Sequence, residues 1–390
     1  MTSTSTSAAA ESDVMAASLE SSARRARVGR PLRVCVVAPS LDILGGQAVV
    51  AQRLIERLRT DPSLEVSFIP HNPRLPGPLR SLQRIKYVRT AVTSVAYLAL
   101  LLRKLRDVDV VHVFSASYFS FILAPTPAVL VGRLYGKRVI LNYRSGAAFD
   151  HLSKWPRSTL PIFRRADLIV VPSAFLVDVF AKFGLRATAV PNFVEVDAMP
   201  YRRRDALRPR FLTNRNFAAH YNVGCVLRAF ARIQASIPEA RLTVAGDGRQ
   251  RHQLHALARE LELRNVEFVG QIPPRQMPAL YDQADAYLNS PNVDNMPNSV
   301  VEAFAAGLPV VTTRAGGIPY IVSHEENGLL VDCDDHEALA GAALRLLSEP
   351  DLALRLADRA RSDVLSKYTW PAVRNGWRRA YGLTDVPGGS

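Results

Sequence analysis

The sequence predicts an α/β protein of two parallel sheets in tandem, and three observations carry that prediction. Strand-like runs alternate with amphipathic segments over nearly the whole chain, the pattern of parallel α/β sheets rather than of an all-β or helix-bundle protein. At 390 residues the chain is long enough for two domains of ordinary size, each with its own core. Between the halves, a Pro- and Arg-rich stretch lacks a buried-face period and reads as a hinge.

In chain order, the first half offers strands from Leu32 to Ala38, Leu64 to Ile69, Val108 to Phe114, Arg138 to Tyr143, Leu168 to Val171 and Ala187 to Val190. The second half offers strands from Phe211 to Asn214, Arg241 to Ala245, Val266 to Val269, Ala286 to Asn289, Val310 to Thr313 and Leu329 to Val331. The hinge candidate lies in the stretch from Pro191 to Arg210, is bounded as residues 194–210, and carries Pro200, Tyr201-Arg202-Arg203-Arg204 and Pro209. The domains therefore read as 32–193 and 211–367. Beyond them, Trp370-Pro371 onward to Tyr381 is helical with aromatic residues on one side, so residues 368–390 are expected to cross back over the first domain. Residues 1–31 are Ser/Ala-rich and aperiodic, and are expected to be a disordered tail. Sheets of this kind bind ligands at the carboxyl ends of their strands. The two halves should thus face each other across a cleft whose closure excludes water.

Apolar content of 48% and charged content of 22% are those of a soluble globular protein. No apolar core precedes a small-residue cleavage site near the start, and the longest apolar run, Val95 to Leu102, is too short to span a bilayer. A cytoplasmic location is the expectation. Cys35, Cys225 and Cys333 are odd in number and far apart, which argues against a disulfide framework or a zinc site and reads as packing.

The net charge of +14 is unevenly placed. Residues 1–200 hold 26 Lys/Arg against 14 Asp/Glu, while residues 201–390 hold 23 against 21. No acid lies between Glu65 and Asp107, where Arg74, Arg80, Arg84, Lys86, Arg89, Arg103, Lys104 and Arg106 all fall. That field would attract an anionic surface. From Arg80 to Arg106, Leu82, Ile85, Val88, Val92, Val95 and Leu98 interleave with the bases. Helical spacing gives either a core helix with a wet basic side or an amphipathic surface helix. With Trp155, Arg157, Phe163, Arg164 and Arg165 as further exposed candidates, peripheral attachment to an anionic inner-membrane surface is expected. No recognition helix, finger or aromatic RNA platform argues for nucleic acid.

The densest chemical signal is Asp294-Asn295-Met296-Pro297-Asn298-Ser299-Val300-Val301-Glu302. One carboxylate precedes a helix and the other lies on its first turns, with Gly307 stopping the helix before a buried strand. Free N–H groups at the helix start suit a diphosphate, one carboxylate suits ribose hydroxyls, and the other can face a sugar. Acids near a helix start are also ordinary dipole partners, so context has to decide. The first strand runs into Gly45-Gly46 before a helix, where backbone can approach a ligand without a Cβ in the way. Neither G-x-G-x-x-G nor a Walker loop is present there. Arg215 ends the first strand of the second set, where a guanidinium could fork onto phosphate oxygens. Gly246-Asp247-Gly248 and Gly316-Gly317 follow later strands.

In that order, the glycine pair, hinge, strand Arg, A-G-D-G, acid-x7-Glu, A-x-x-x-G-L-P-V-V and A-G-G-I-P resemble the retaining glycosyltransferases of family four. The likeness covers about residues 32–382 and includes Asn327-Gly328-Leu329-Leu330-Val331. The resemblance implies a GT-B fold, two Rossmann-like domains facing across a cleft, with a nucleotide diphosphate sugar as co-substrate. No metal or other cofactor is expected, because the candidate carboxylates are not clustered with His or Cys at ligand spacing and Asp107-Val108-Asp109 precedes a core strand. The resemblance further implies that Glu302 holds the ribose, that the Asn298 and Ser299 amides and Arg215 meet the diphosphate, and that Gly46 approaches from the other domain. Gly45, His220, Tyr221, Gly246, Met296 and Pro297 complete the expected donor site. Asp294 and Arg144 are the expected catalytic residues.

Three positions depart from the family pattern. Asp294 stands for the family's first Glu, one methylene shorter. Tyr221, after His220, stands where a Lys is usual, so Arg215 and helix amides suffice, or His220 adds charge near its reference pKa of ~6.5, or donor binding is altered. Arg144 stands where relatives place a His; it stays protonated and cannot be a general base. It could stabilise the departing phosphate, hold an anionic acceptor, or simply pair with Asp150. In the front-face reaction attributed to the family, the leaving diphosphate itself takes the acceptor proton. Acceptors in this fold usually bind the N-terminal domain, which here holds nearly all the net charge, so the expected acceptor is a cell-envelope glycan or a polyprenyl- or lipid-linked saccharide. A silent scaffold or a sugar-nucleotide epimerase of the same shape are the alternatives.

Overall fold

The computed structural model describes residues 30–40, 46–75, 77, 86–115 and 117–386. The tail expected at the start, up to residue 29, lies outside them, as do Gly45, Arg80, Leu82, Arg84 and Ile85. Two six-stranded sheets are present, all of their paired strands parallel. The first comprises β1 (Leu32–Ala38), β2 (Leu64–Pro70), β3 (Val110–Ser115), β4 (Arg138–Tyr143), β5 (Leu168–Val171) and β6 (Thr188–Ala189), in the order β2-β1-β3-β4-β5-β6. The second comprises β7 (Arg210–Asn214), β8 (Arg241–Ala245), β9 (Val266–Gly270), β10 (Ala286–Asn289), β11 (Val310–Thr313) and β12 (Leu329–Val331), in the order β12-β11-β10-β7-β8-β9. Helices pack on the sheets, which is why central strands such as Val110-Val111-His112-Val113-Phe114-Ser115 are buried throughout.

The strand order reverses beside β1 in one sheet and beside β7 in the other. Chain leaving the carboxyl ends of neighbouring strands parts there and leaves a crevice. These two crevices face each other across the lobes.

The aromatic helix near the C-terminus, Trp370–Ala380, belongs to the first lobe's core although it follows the second lobe in sequence. Val373, Trp377 and Tyr381 pack with Val34, Val36 and Val110 of β1 and β3, and Arg378 forms an ion pair with Asp61. The fold is thus the doubly lobed, crossing-helix architecture expected.

The Arg-rich hinge candidate needs correction. Arg204 is buried, and its guanidinium donates to the carbonyls of Tyr281 (3.0 Å), Ala284 (3.0 Å), Ala306 (2.8 Å) and Gly307 (3.1 Å). Fully buried Asp285 accepts from Arg202 at 3.0 Å and from Arg208 at 2.8 Å. This half of the segment is bolted to the second lobe through arginine side chains, a form of burial that leaves no apolar period to read. Arg204→Ala is therefore expected to cost about 3–5 kcal/mol, because Asp285 loses a buried countercharge and several carbonyls lose their donor. Urea denaturation measures that loss. The cysteines also divide: Cys35 and Cys225 are buried packing residues, whereas Cys333 is exposed.

Candidate active site

Residues of both lobes line one interlobe cleft of about 790 Å³. Every wall element starts at the carboxyl end of a strand: Gly46 after β1, Ser117 and Tyr118 after β3, Arg144 to Ala147 after β4, Asn214 to Asn216 after β7, and Val293 to Glu302 after β10.

On the second-lobe wall, Arg215 is nearly buried and forms an ion pair with Asp294, while its other terminal nitrogen donates to Ser299 Oγ at 3.0 Å. Its guanidinium carbon lies 4.0 Å from the centre of the Tyr221 ring, so Tyr221 acts as a face for that cation instead of supplying a second one. His220 stands beside it on the same loop, where partial desolvation and then the Arg215 charge push its imidazole below the ordinary range, which works against added charge there. Its carbonyl accepts from the Asn292 and Val293 amides and so ties the loop to the Asp294 segment.

The helix Asn298–Ala305 starts inside the cleft, and its first N–H groups have no acceptor within the helix. One turn on, Glu302 lines the cleft and is buried, accepting from Tyr281 Oη at 3.0 Å and from Arg53 at 2.9 Å. Arg53 comes from the opposite lobe, on the helix Gly46–Leu58. Glu302 therefore both faces the crevice and closes it.

On the first-lobe wall, Arg144 lies part-buried over the Phe114 ring at 5.6 Å and donates to Asn142 Oδ1 at 3.4 Å and to Asn192 Oδ1. Among the described residues it has no carboxylate partner within ion-pair distance. Asp150 instead accepts from Lys154 at 2.8 Å and from Tyr118 at 2.6 Å, so the expected alternative of an Arg144–Asp150 pair is corrected. Burial pushes the Arg144 guanidinium down to about 10, still a cation at neutral pH. A part-buried cation without a countercharge suits an anion entering the cleft.

Backbone contacts explain the glycines. A Cβ on Gly146 would stand 2.8 Å from the Asp294 carbonyl carbon, so this glycine lets the lobes touch. Gly316 has φ +50°, and a Cβ there would strike the Asp294 carbonyl oxygen at 2.2 Å. The A-G-G-I-P turn thus buttresses the Asp294 loop. Gly246 is corrected as a donor contact: it does not line the cleft, and a Cβ on it would collide with the Arg215 carbonyl at 2.0 Å. It shapes the turn that presents Arg215.

The structure brings Gly46, Arg144, Arg215, His220, Tyr221, Asp294, Met296, Pro297, Asn298, Ser299 and Glu302 to one cleft. Several lining residues carry no signal in the sequence motifs, and two of them make polar contacts between the lobes. Arg53 shares a helix face with Gly46, seven positions earlier, and a lone cation on that stripe was the available signal. Asn192, one residue after the proline that follows β6, donates to Met296 O at 3.2 Å and Asn298 Oδ1 at 2.6 Å across the lobes. Phe163, expected near the surface, is in the core.

Residues 44–198 match the model of glycosyltransferase family 4, and residues 203–363 match that of glycosyl transferases group 1. The chain is 27% identical to the lipopolysaccharide core biosynthesis glycosyltransferase LpsE of Rhizobium meliloti, over 60% of this chain and 70% of that protein. It is 27% identical to a glycogen synthase of Mycobacterium tuberculosis, over 66% of each. Among solved structures, Anabaena HepE in complex with UDP-glucose superposes with a TM-score of 0.73 at 16% identity, covering 90% of this chain and 99% of that one. Sucrose-phosphate synthase from Thermosynechococcus elongatus superposes with a TM-score of 0.69 at 18% identity, covering 90% and 98%.

Proposed function

Since the chain belongs to the family 4, group 1 glycosyltransferases and has their GT-B fold, we propose that it is a retaining, metal-independent transferase working from a nucleoside diphosphate sugar. One observation carries the reading: a part-buried guanidinium from each lobe, Arg144 and Arg215, lines the same cleft as the start of the Asn298–Ala305 helix, with Asp294 and Glu302 beside them. In this reading Glu302 accepts from ribose hydroxyls, which displace Arg53. The Asn298 and Ser299 amides and Arg215 hold the diphosphate, and Asp294 faces the donor sugar. Arg144 stabilises the departing phosphate in place of the missing Lys.

The bond from the anomeric carbon to the phosphate oxygen breaks as the acceptor oxygen bonds the same face. The acceptor proton passes to the leaving phosphate. Two arginines and helix amides supply the charge stabilisation a metal would otherwise give, so EDTA should leave the rate unchanged. Thermal shift with UDP-, GDP- and ADP-linked sugars tests the reading, a matched donor at 100 Kd stabilising by about 2.7 kcal/mol. No shift and no nucleotide release with any of them would reject it.

The proposed acceptor is a cell-envelope glycan or a polyprenyl- or lipid-linked saccharide, met at the inner face of a membrane. LpsE, by its name, acts in envelope biosynthesis. Among the described residues no helix is long and apolar enough to cross a membrane. However, the helix Lys86–Lys104 buries Tyr97 and Leu101 and leaves Val88, Val95, Leu98 and Leu102 exposed alongside Arg89, Arg103 and Lys104. The adjoining helix Pro125–Leu134 exposes Leu130 and Leu134. Apolar residues on the basic side fit a surface that lies on anionic lipid, where each base contributes ~1 kcal/mol. The protein is expected to float with phosphatidylglycerol vesicles at low salt, and not with phosphatidylcholine vesicles. Failure to float would favour a soluble acceptor.

A further inference from the structure

The first sheet buries two polar side chains side by side, His112 on β3 and Asn142 on β4, where apolar residues would cost less. Both are partnered in a single line. His112 Nδ1 lies 2.8 Å from Tyr381 Oη, just past the crossing helix, and Asn142 Nδ2 donates to His112 Nε2 at 3.1 Å. Asn142 Oδ1 accepts from Arg144 Nη1 at 3.4 Å. The other end of the guanidinium donates to Asn192 Oδ1, and Asn192 Nδ2 continues to Asn298 Oδ1 at 2.6 Å.

The line has one polarity. Arginine only donates, so the amide oxygen of Asn142 must face Arg144 and its NH2 must face His112. Nε2 of the imidazole is then an acceptor, the ring proton sits on Nδ1, and Tyr381 Oη accepts it. The imidazole stays neutral, since burial and the Arg144 charge push it down to about 3. Trp377 packs against the same ring, 5.1 Å between centroids.

We infer that Tyr381, His112 and Asn142 are positioning residues that fix the Arg144 guanidinium in the cleft, making the C-terminal crossing segment part of the transfer machinery. This rests on the phosphate role proposed for Arg144. Such a line holds the fork at a set angle where the apolar wall beneath it offers no acceptor, and Asn192 extends the same hold to the opposite lobe. A polar group buried only to fill space would need neither the fixed tautomer nor the continuity into the cleft.

The test uses the full chain and nucleotide release from UDP-glucose, GDP-mannose and ADP-glucose, with kcat and donor KM measured separately. Tyr381→Phe removes a single oxygen and is expected to lower kcat by about tenfold with donor KM changed less than about twofold. Val373→Ala, in the crossing helix and the same core but outside this hydrogen-bonded line, should keep the wild-type kcat. Tyr381→Phe combined with Arg144→Lys should be no slower than Arg144→Lys alone. A Tyr381→Phe enzyme with wild-type kcat, or effects that multiply in the double variant, would overturn the inference. Nitrogen-15 NMR of labelled histidine gives an independent reading: the Nδ1–H tautomer is expected for His112, and the Nε2–H tautomer rejects the relay whatever the activity. Wild-type protein that releases nucleotide from none of the three sugars instead defeats the transferase reading, and this inference with it.

Discussion

Glu302→Ala is expected to weaken nucleotide-sugar binding by about 100-fold or more, read by calorimetry or thermal shift. A carboxylate accepting from two ribose hydroxyls makes two charge-assisted hydrogen bonds, each contributing ~1.5 kcal/mol or more. The loss should fall on Kd in the ground state, since the nucleoside does not change during transfer. Arg53→Ala separates ribose binding from lobe pairing. In the structure Arg53 pairs with the Glu302 carboxylate, so a ribose held there as proposed would displace it. Removing Arg53 should leave donor Kd within a few-fold of wild type or tighten it. Unchanged donor binding in Glu302→Ala would mean that this carboxylate serves lobe closure alone, with Tyr281 and Arg53 as its only partners.

Arg215→Ala is expected to lower kcat by about 10²–10³, the loss typical of a positioned donor that stabilises charge developing on a leaving group. Arg215 also neutralises Asp294, and burial works against its charge until that carboxylate holds the guanidinium above its usual range. The alanine variant therefore leaves Asp294 unpaired beside the donor diphosphate and should weaken donor binding too. Arg215→Lys keeps the charge but not the fork, so it should recover stability more than rate. A kcat within about threefold of wild type in Arg215→Ala would move the diphosphate site elsewhere in the cleft.

Much of the architecture was legible from local pattern. Strand assignments such as Arg241–Ala245, Ala286–Asn289 and Val310–Thr313 coincide with the observed strands, because a buried parallel strand is an apolar run bounded by turn residues. Strand ends shifted where the flanking residues were apolar too, as at Val108, which is buried but precedes β3. The Asp294-to-Glu302 segment was legible because its residues are neighbours in the chain. Gly246 and Gly316 were visible as glycines, but their work, making room for the Arg215 and Asp294 carbonyls, was not. The helix Lys86–Lys104 showed apolar and basic residues, yet only packing decided that Tyr97 and Leu101 face the core while Val95 and Leu98 do not.

By itself, then, the sequence determined two parallel-sheet lobes, a helix returning to the first, and a row of candidate residues at strand ends. Those features follow from periods of two and 3.6 residues and from turn chemistry, which act over a few positions. Only the tertiary structure decided that Arg53 reaches Glu302, that Asn192 joins Arg144 to Asn298, and that Asp285 anchors the arginines of the interlobe segment. Those contacts link residues some 48 to 249 positions apart. They depend on how each core packs and, for Arg53–Glu302 and Asn192–Asn298, on how the two lobes dock, and no local pattern encodes that geometry.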